Sequence, residues 1–143
     1  SNFTKKKIEN NKNVILRDKK ISKFIWPVKG KLLSKYGKSK EGFYNDGINI
    51  DSKKGTKVMS SQAGKVIYSG NEIPGYGNLI LIKHSKNWIT AYAHLNEVFT
   101  EKGKKVIKGE IIGSVGNTGN VRSPQLHFEI RKGKESVNPL KLL

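Results

Sequence analysis

Past residue 24 the apolar residues arrive in short runs broken by glycine: Lys57-Val58-Met59, Lys65-Val66-Ile67-Tyr68, Leu79-Ile80-Leu81-Ile82, Trp88-Ile89-Thr90-Ala91-Tyr92, Glu110-Ile111-Ile112 and Leu126-His127-Phe128-Glu129-Ile130. Val, Ile and aromatic residues dominate them, which suits a pleated, half-buried surface. Gly55, Gly64, Gly70, Gly77, Gly103, Gly109 and Gly113 punctuate the runs at the spacing of turns between short strands. No window of helical length keeps an apolar period of 3.6. Residues 96–99 are expected to make one helical turn and no more. The pattern predicts a mainly β fold of short antiparallel strands, as two packed sheets or one rolled sheet.

Alternation assigns faces within those strands. In Gln125-Leu126-His127-Phe128-Glu129, the residues Gln125, His127 and Glu129 share one face, and Leu126, Phe128 and Ile130 look into a core. Residues 45–51 put Asn45, Gly47, Asn49 and Asp51 on one side, with Asp46 on the other. The segment Tyr92-Ala93-His94-Leu95 places His94 at a strand end. Taken singly, such histidines are more often satisfied structural residues than ligands.

The N-terminal stretch is different in kind. Residues 1–23 are polar and lysine-rich with one apolar patch, Val14-Ile15-Leu16, and read as a basic extension or linker carrying at most a short strand or helical turn. Residues 24–143 then form a single domain, long enough to bury a core unaided. Cysteine is absent, so thiolate metal sites and disulfides are excluded. No run approaches the roughly 20 apolar residues of a membrane span, and Ser1-Asn2-Phe3 does not open a signal peptide.

Charge adds less than its size suggests. The net charge is +17, carried by 25 lysines and only three arginines, Arg17, Arg122 and Arg131. Base and phosphate readers lean on arginine forks, so nucleic acid is not the expected partner. The lysine, asparagine and isoleucine content reads mainly as biased residue usage, with affinity for anionic polymers as the remainder.

Order and spacing carry the functional signal. Asn45 to Asn49, then Tyr92-Ala93-His94-Leu95, then Gln125-Leu126-His127 follow one another as the His-x-x-x-Asp, Tyr-Ala-His-Leu and His-x-His motifs do in the LytM/lysostaphin-type zinc metallopeptidases. Gly75-Tyr76-Gly77-Asn78, Gly109-Glu110-Ile111-Ile112-Gly113, Gly116-Asn117-Thr118-Gly119 and Val137-Asn138-Pro139-Leu140 extend the match. The sequence resembles that family from about Trp26 to its end. The resemblance implies a LytM-like sheet with a groove, and an origin in cleavage of peptidoglycan cross-links.

Position by position, the family's first zinc ligand falls on Asn45 and its second on Asn49, while the third is kept as His127. Of the two histidines that act on water and transition state, one is kept as His94 and the other is Gln125. Zinc prefers imidazole, thiolate or carboxylate, and a neutral amide oxygen is a poor substitute. A four-ligand structural site gains about 10–16 kcal/mol, so two lost ligands cost on the order of 6–8 kcal/mol. Asp46 points to the wrong face, and Asp51 lies roughly 6–7 Å further along the strand. No metal or other cofactor is therefore expected, and His94 and Gln125 are remnants.

Members with such eroded ligands resemble the EnvC/NlpD-type murein hydrolase activators. The resemblance implies a non-catalytic domain of the bacterial periplasm or cell envelope that binds and activates a peptidoglycan amidase or other wall hydrolase during wall remodelling or daughter-cell separation. The expected surface is the old groove, lined by Asn45, Asn49, Tyr92, His94, Gln125 and His127, with the Tyr92 hydroxyl bonding to the two asparagines. Two alternatives remain at this level: an endopeptidase with an unorthodox zinc site, and a peptidoglycan-binding module using Phe43, Tyr44, Tyr68, Tyr76 and Trp88. His84 has no assigned role.

Overall fold

A computed structural model describes residues 23–143. The extension up to residue 22, with its Val14-Ile15-Leu16 patch, lies outside the described residues. The described chain runs through twelve strands: β1 (Leu32–Ser34), β2 (Gly37–Lys38), β3 (Tyr44–Asn45), β4 (Ile48–Asp51), β5 (Lys57–Met59), β6 (Gly64–Gly70), β7 (Asn78–Lys83), β8 (Trp88–Val98), β9 (Lys105–Val106), β10 (Ile111–Val115), β11 (Gln125–Lys132) and β12 (Glu135–Val137). Two single 3-10 turns, Ser85–Asn87 and Pro139–Lys141, are the only helical elements among the described residues.

Ten strands form one antiparallel sheet with the order β1-β4-β11-β8-β7-β6-β9, and β2 and β3 form a separate ribbon. The long strand β8 makes the sheet roll. Its first part pairs with β7 on one side and β11 on the other, and its last part pairs with β10, which in turn holds β5. The expected helical turn at 96–99 does not form. Those residues continue β8 to Val98, because Val98 pairs with Gly113 and the Glu97 amide donates to Ser114 Oγ at 3.1 Å.

The core sits inside the roll. Ile48, Ile50, Val58, Val66, Ile80, Ile82, Leu95, Ile112, Leu126, Phe128 and Ile130 are all fully buried. They are the inward members of alternating pairs, each worth about 1.5–3 kcal/mol on burial, and they fix the strand register against slippage. A smaller layer of Leu79, Ala91 and Ala93, with Tyr68, Tyr76 and Leu81 against it, covers the other face beside the groove. Gly47 shows why the chain needs glycine between β3 and β4: a Cβ there would lie 2.2 Å from the Phe128 carbonyl oxygen. That close approach seats the β3–β4 turn on β11.

Candidate functional site

β4, β11 and β8 lie side by side, with Asn49 opposite His127 and His127 opposite Ala93. Asn45 comes from the separate ribbon and reaches the same point through the tight turn at Gly47, whose amide donates to Asn45 Oδ1 at 2.9 Å. The result is a groove of about 920 Å3 with Asn45, Asn49, His94 and His127 on its floor. Its walls are the β1–β3 segment, including Leu33, Phe43 and Tyr44, and the loop carrying Pro74, Gly75 and Tyr76.

The floor is a connected hydrogen-bond network. Asn45 Nδ2 donates to Ser34 Oγ at 2.8 Å and to Asn49 Oδ1 at 2.9 Å. Asn49 Nδ2 donates to Gln125 Oε1 at 2.8 Å. Gln125 Nε2 in turn donates to the Ser123 carbonyl at 3.1 Å. Both ring nitrogens of His127 face oxygens, Nδ1 toward Asn49 Oδ1 at 3.0 Å and Nε2 toward Glu129 Oε2 at 2.7 Å. Thus both are placed to donate.

Glu129 anchors the far side of this network. Tyr76 donates to its Oε2 at 3.1 Å, and Arg131 Nε donates to its Oε1 at 2.7 Å. Arg131 also approaches Asp46 at 3.6 Å. Burial pushes the Glu129 carboxyl upward, but hydrogen bonds and charge from His127 and Arg131 outweigh it and hold it at about 2. Burial and then the Glu129 carboxylate push the Tyr76 phenol up. The sequence places Glu129 on the face of His127 and Gln125, but only its burial and three partners reveal it as the hub. The sequence offers Tyr76 only as a stacking aromatic and singles out neither Arg131 nor Ser34: Tyr76 and Ser34 arrive from other segments, and Arg131, two residues along β11 from Glu129, shows its part only through its bond to that carboxylate.

His94 reaches the groove by an irregularity. It does not end a strand but sits within β8, with φ at +65° in the left-handed region. Between Tyr92 and Leu95 the strand advances three residues while β7 advances only two, from Ile80 to Asn78. This bulge turns the ring outward, to 6.0 Å from the His127 ring. Nδ1 donates to the Thr118 carbonyl at 2.8 Å, so Nε2 keeps its lone pair. Burial lowers the His94 pKa, only partly offset by that carbonyl, and favours the neutral ring. The Thr118 loop is fixed by its own bonds, Thr118 Oγ1 donating to the Leu95 carbonyl at 2.9 Å and accepting from the Asn78 amide at 3.0 Å.

Tyr92 is a correction. It is fully buried on the opposite face of β8 and makes no bond to either asparagine. Its hydroxyl accepts from the Ser61 amide at 2.9 Å and meets Thr90 Oγ1 at 2.7 Å. His84, without a role in the sequence reading, completes this second network. Its Nδ1 donates to the Ala63 carbonyl at 2.7 Å, so Nε2 accepts from Thr90 at 2.8 Å. Thr90 must then accept from Tyr92, and every partner is satisfied with a neutral imidazole. Burial lowers the His84 pKa, consistent with that state. Here the bland structural reading of a histidine holds.

The three positions that would hold zinc do converge, at 2.9 and 3.0 Å between donor atoms. Their chemistry does not fit the ion. Two of three are neutral amides already spent on each other, and no cluster of three or more His, Cys, Asp or Glu among the described residues could hold a metal.

Comparison with known proteins agrees with this geometry. The chain is 48% identical over 109 residues to the cell division protein DipM of Caulobacter vibrioides, covering 76% of this chain and 18% of that protein. It is 42% identical over 123 residues to the murein hydrolase activator NlpD of Escherichia coli, covering 86% of this chain and 32% of that one. The chain thus spans less than a third of the length of either relative. A zinc-containing peptidase from Vibrio cholerae superposes with a TM-score of 0.76 at 28% identity, over 82% of this chain and 39% of that one. Residues 43–139 match the profile of peptidase family M23. With sequence, fold and groove in agreement, the chain belongs to peptidase family M23.

Proposed function

We propose that this domain is a non-catalytic member of the family that binds and activates a wall hydrolase, a peptidoglycan amidase in particular, in the bacterial envelope. The observation that carries the reading is the amide network at the zinc positions: Asn45 and Asn49 bond to each other, to Gln125 and to His127. Such a floor holds its shape without an ion and has no means of acidifying a water. The murein hydrolase activator NlpD and the division protein DipM, as relatives, support the same reading.

Activation then works as a population shift. A domain that binds the open form of a hydrolase better than its closed form raises, at saturation, the open-to-closed ratio by the ratio of the two affinities. The groove supplies the docking surface, with Asn45, Asn49, His94 and His127 on its floor and Lys35, Lys38 and Lys40 along its rim; Gln125, expected to line it, instead supports Asn49 through a hydrogen bond and does not reach the groove surface. The lysine rim speeds encounter with an acidic partner.

Dye release from labelled sacculi tests the reading. The domain alone releases nothing, with or without added zinc, and it accelerates release by a cognate amidase that it also binds in solution. Release by the domain alone overturns the reading in favour of an active peptidase. Binding to sacculi without any effect on an amidase overturns it in favour of a wall-binding module. That second outcome has a specific basis, because Phe43 and Tyr44 stand 77% and 61% exposed on the groove wall.

A further inference from the structure

The outer face of the rolled sheet carries a row of like charges. Lys105 of β9 stands opposite Lys65 of β6, and Lys65 stands opposite Lys83 of β7. Residues directly opposite project to the same face, and here that face is solvent. All three lysines are exposed, while their chain neighbours Val66, Ile82 and Val106 are buried. Adjacent strands lie about 4.8 Å apart, so the three stems stand in a line about 10 Å long.

Such a ladder is unfavourable on its own terms, since like charges set directly opposite destabilise a sheet. No ion pair among the described residues relieves it. The ion pairs among the described residues join Glu129 to His127 and Arg131, and Asp46 to Arg131; none includes these lysines. The row continues through Ile89 of β8 to Arg131 of β11, but that guanidinium is already committed. None of the three lysines lines the groove. The ladder is therefore a separate feature, independent of the activator reading.

We propose that Lys65, Lys83 and Lys105 form a binding site for a linear phosphate-bearing polymer that lies across β9, β6 and β7. An ammonium binds phosphate as a compact point charge, without the bidentate geometry of an arginine fork, so a row of evenly spaced ammonium groups suits a chain that repeats one charged group along its length. A single file of charges matches a chain rather than a plane of lipid headgroups. What separates this row from the general charge of a +17 chain is its register.

The test uses the full chain and inorganic polyphosphate as probe, followed by fluorescence anisotropy across a range of salt. The variant K65Q/K83Q/K105Q is compared with K29Q/K53Q/K141Q, which removes the same charge from exposed lysines outside the row. The ladder variant is expected to lose at least about tenfold in affinity, with the salt slope falling by about two, near 0.7 per lost contact. The control variant is expected to stay within about threefold of the wild type. Equal losses in both variants overturn the proposal, since net charge alone would then explain binding. So does an absence of polyphosphate binding by the wild type. A ladder-dependent affinity for phosphatidylglycerol vesicles without one for polyphosphate replaces the polymer with a lipid surface. Circular dichroism confirms that both variants keep the fold.

Discussion

If amide chemistry is what keeps zinc out, then restoring the ligands should bring zinc back. The perturbation is the double variant Asn45→His/Asn49→Asp. In the present groove Asn45 Nδ2 lies 2.9 Å from Asn49 Oδ1, and His127 Nδ1 lies 3.0 Å from the same atom. Ligands about 2.0–2.1 Å from a tetrahedral zinc stand about 3.3 Å from one another. The donors thus need to separate by only about 0.3–0.4 Å, within the reach of small side-chain rotations. The Nδ1 of an introduced imidazole and the Oδ of an introduced carboxylate occupy nearly the places of the atoms they replace. His127 needs no rearrangement, because Glu129 already holds its Nε2 at 2.7 Å and leaves Nδ1 pointing at the site.

Two ligands at about 3–4 kcal/mol each amount to a gain of about 6–8 kcal/mol, or at least ten-thousand-fold in affinity. Competition against a chromophoric chelator at neutral pH reads that range. Adding Glu129→Gln to the double variant is expected to weaken zinc by about 10–100-fold, because the orienting carboxylate is then gone. A double variant that keeps the native circular dichroism spectrum yet binds zinc less than tenfold tighter than wild type would falsify the argument. It would mean that the scaffold around the site, rather than its donor atoms, excludes the metal.

Three further outcomes follow from the two networks and the lysine row. Glu129 has its carboxyl lowered from 4.5 to about 2, so its stabilising contribution is full above pH 4.5 and is lost as pH falls toward 2. That shift corresponds to about 3 kcal/mol, and urea unfolding at pH 7 and pH 3 should show a larger loss for wild type than for Glu129→Gln. Tyr92→Phe leaves the Ser61 amide without its acceptor in a fully buried setting and is expected to cost about 1–3 kcal/mol in thermal or chemical melts. That variant should leave hydrolase activation by the folded protein unchanged, since Tyr92 faces away from the groove. Lys65→Glu turns two repulsive cross-strand pairs into attractive ones. It is expected to stabilise by about 0.5–2 kcal/mol, an effect that shrinks in high salt; a destabilised variant counts against the ladder as described.

Sequence pattern alone was sufficient for the class of fold. Alternation in 125–130 sends Leu126, Phe128 and Ile130 to the core and His127 and Glu129 to the groove side, as found, because a period of two leaves a strand no other way to bury its apolar half. The ordered motifs around Asn45, Asn49, His94 and His127 identified the family. Donor chemistry at Asn45 and Asn49 argued against zinc, since ligand identity is a property of residue type.

Tertiary structure decided what alternation could not. A strict period of two puts Tyr92 and His94 on one face. The bulge with His94 at φ +65° shifts that register by one, sending the ring to the groove and leaving the phenol in the core. Glu129 becomes the hub of the site only where Tyr76, from the segment between β6 and β7, meets it beside His127 and Arg131 of its own strand. The lysine row exists only because pairing aligns three lysines distant in sequence. Each of these depends on which strand lies beside which, and that is settled by packing the whole sheet rather than by any one segment.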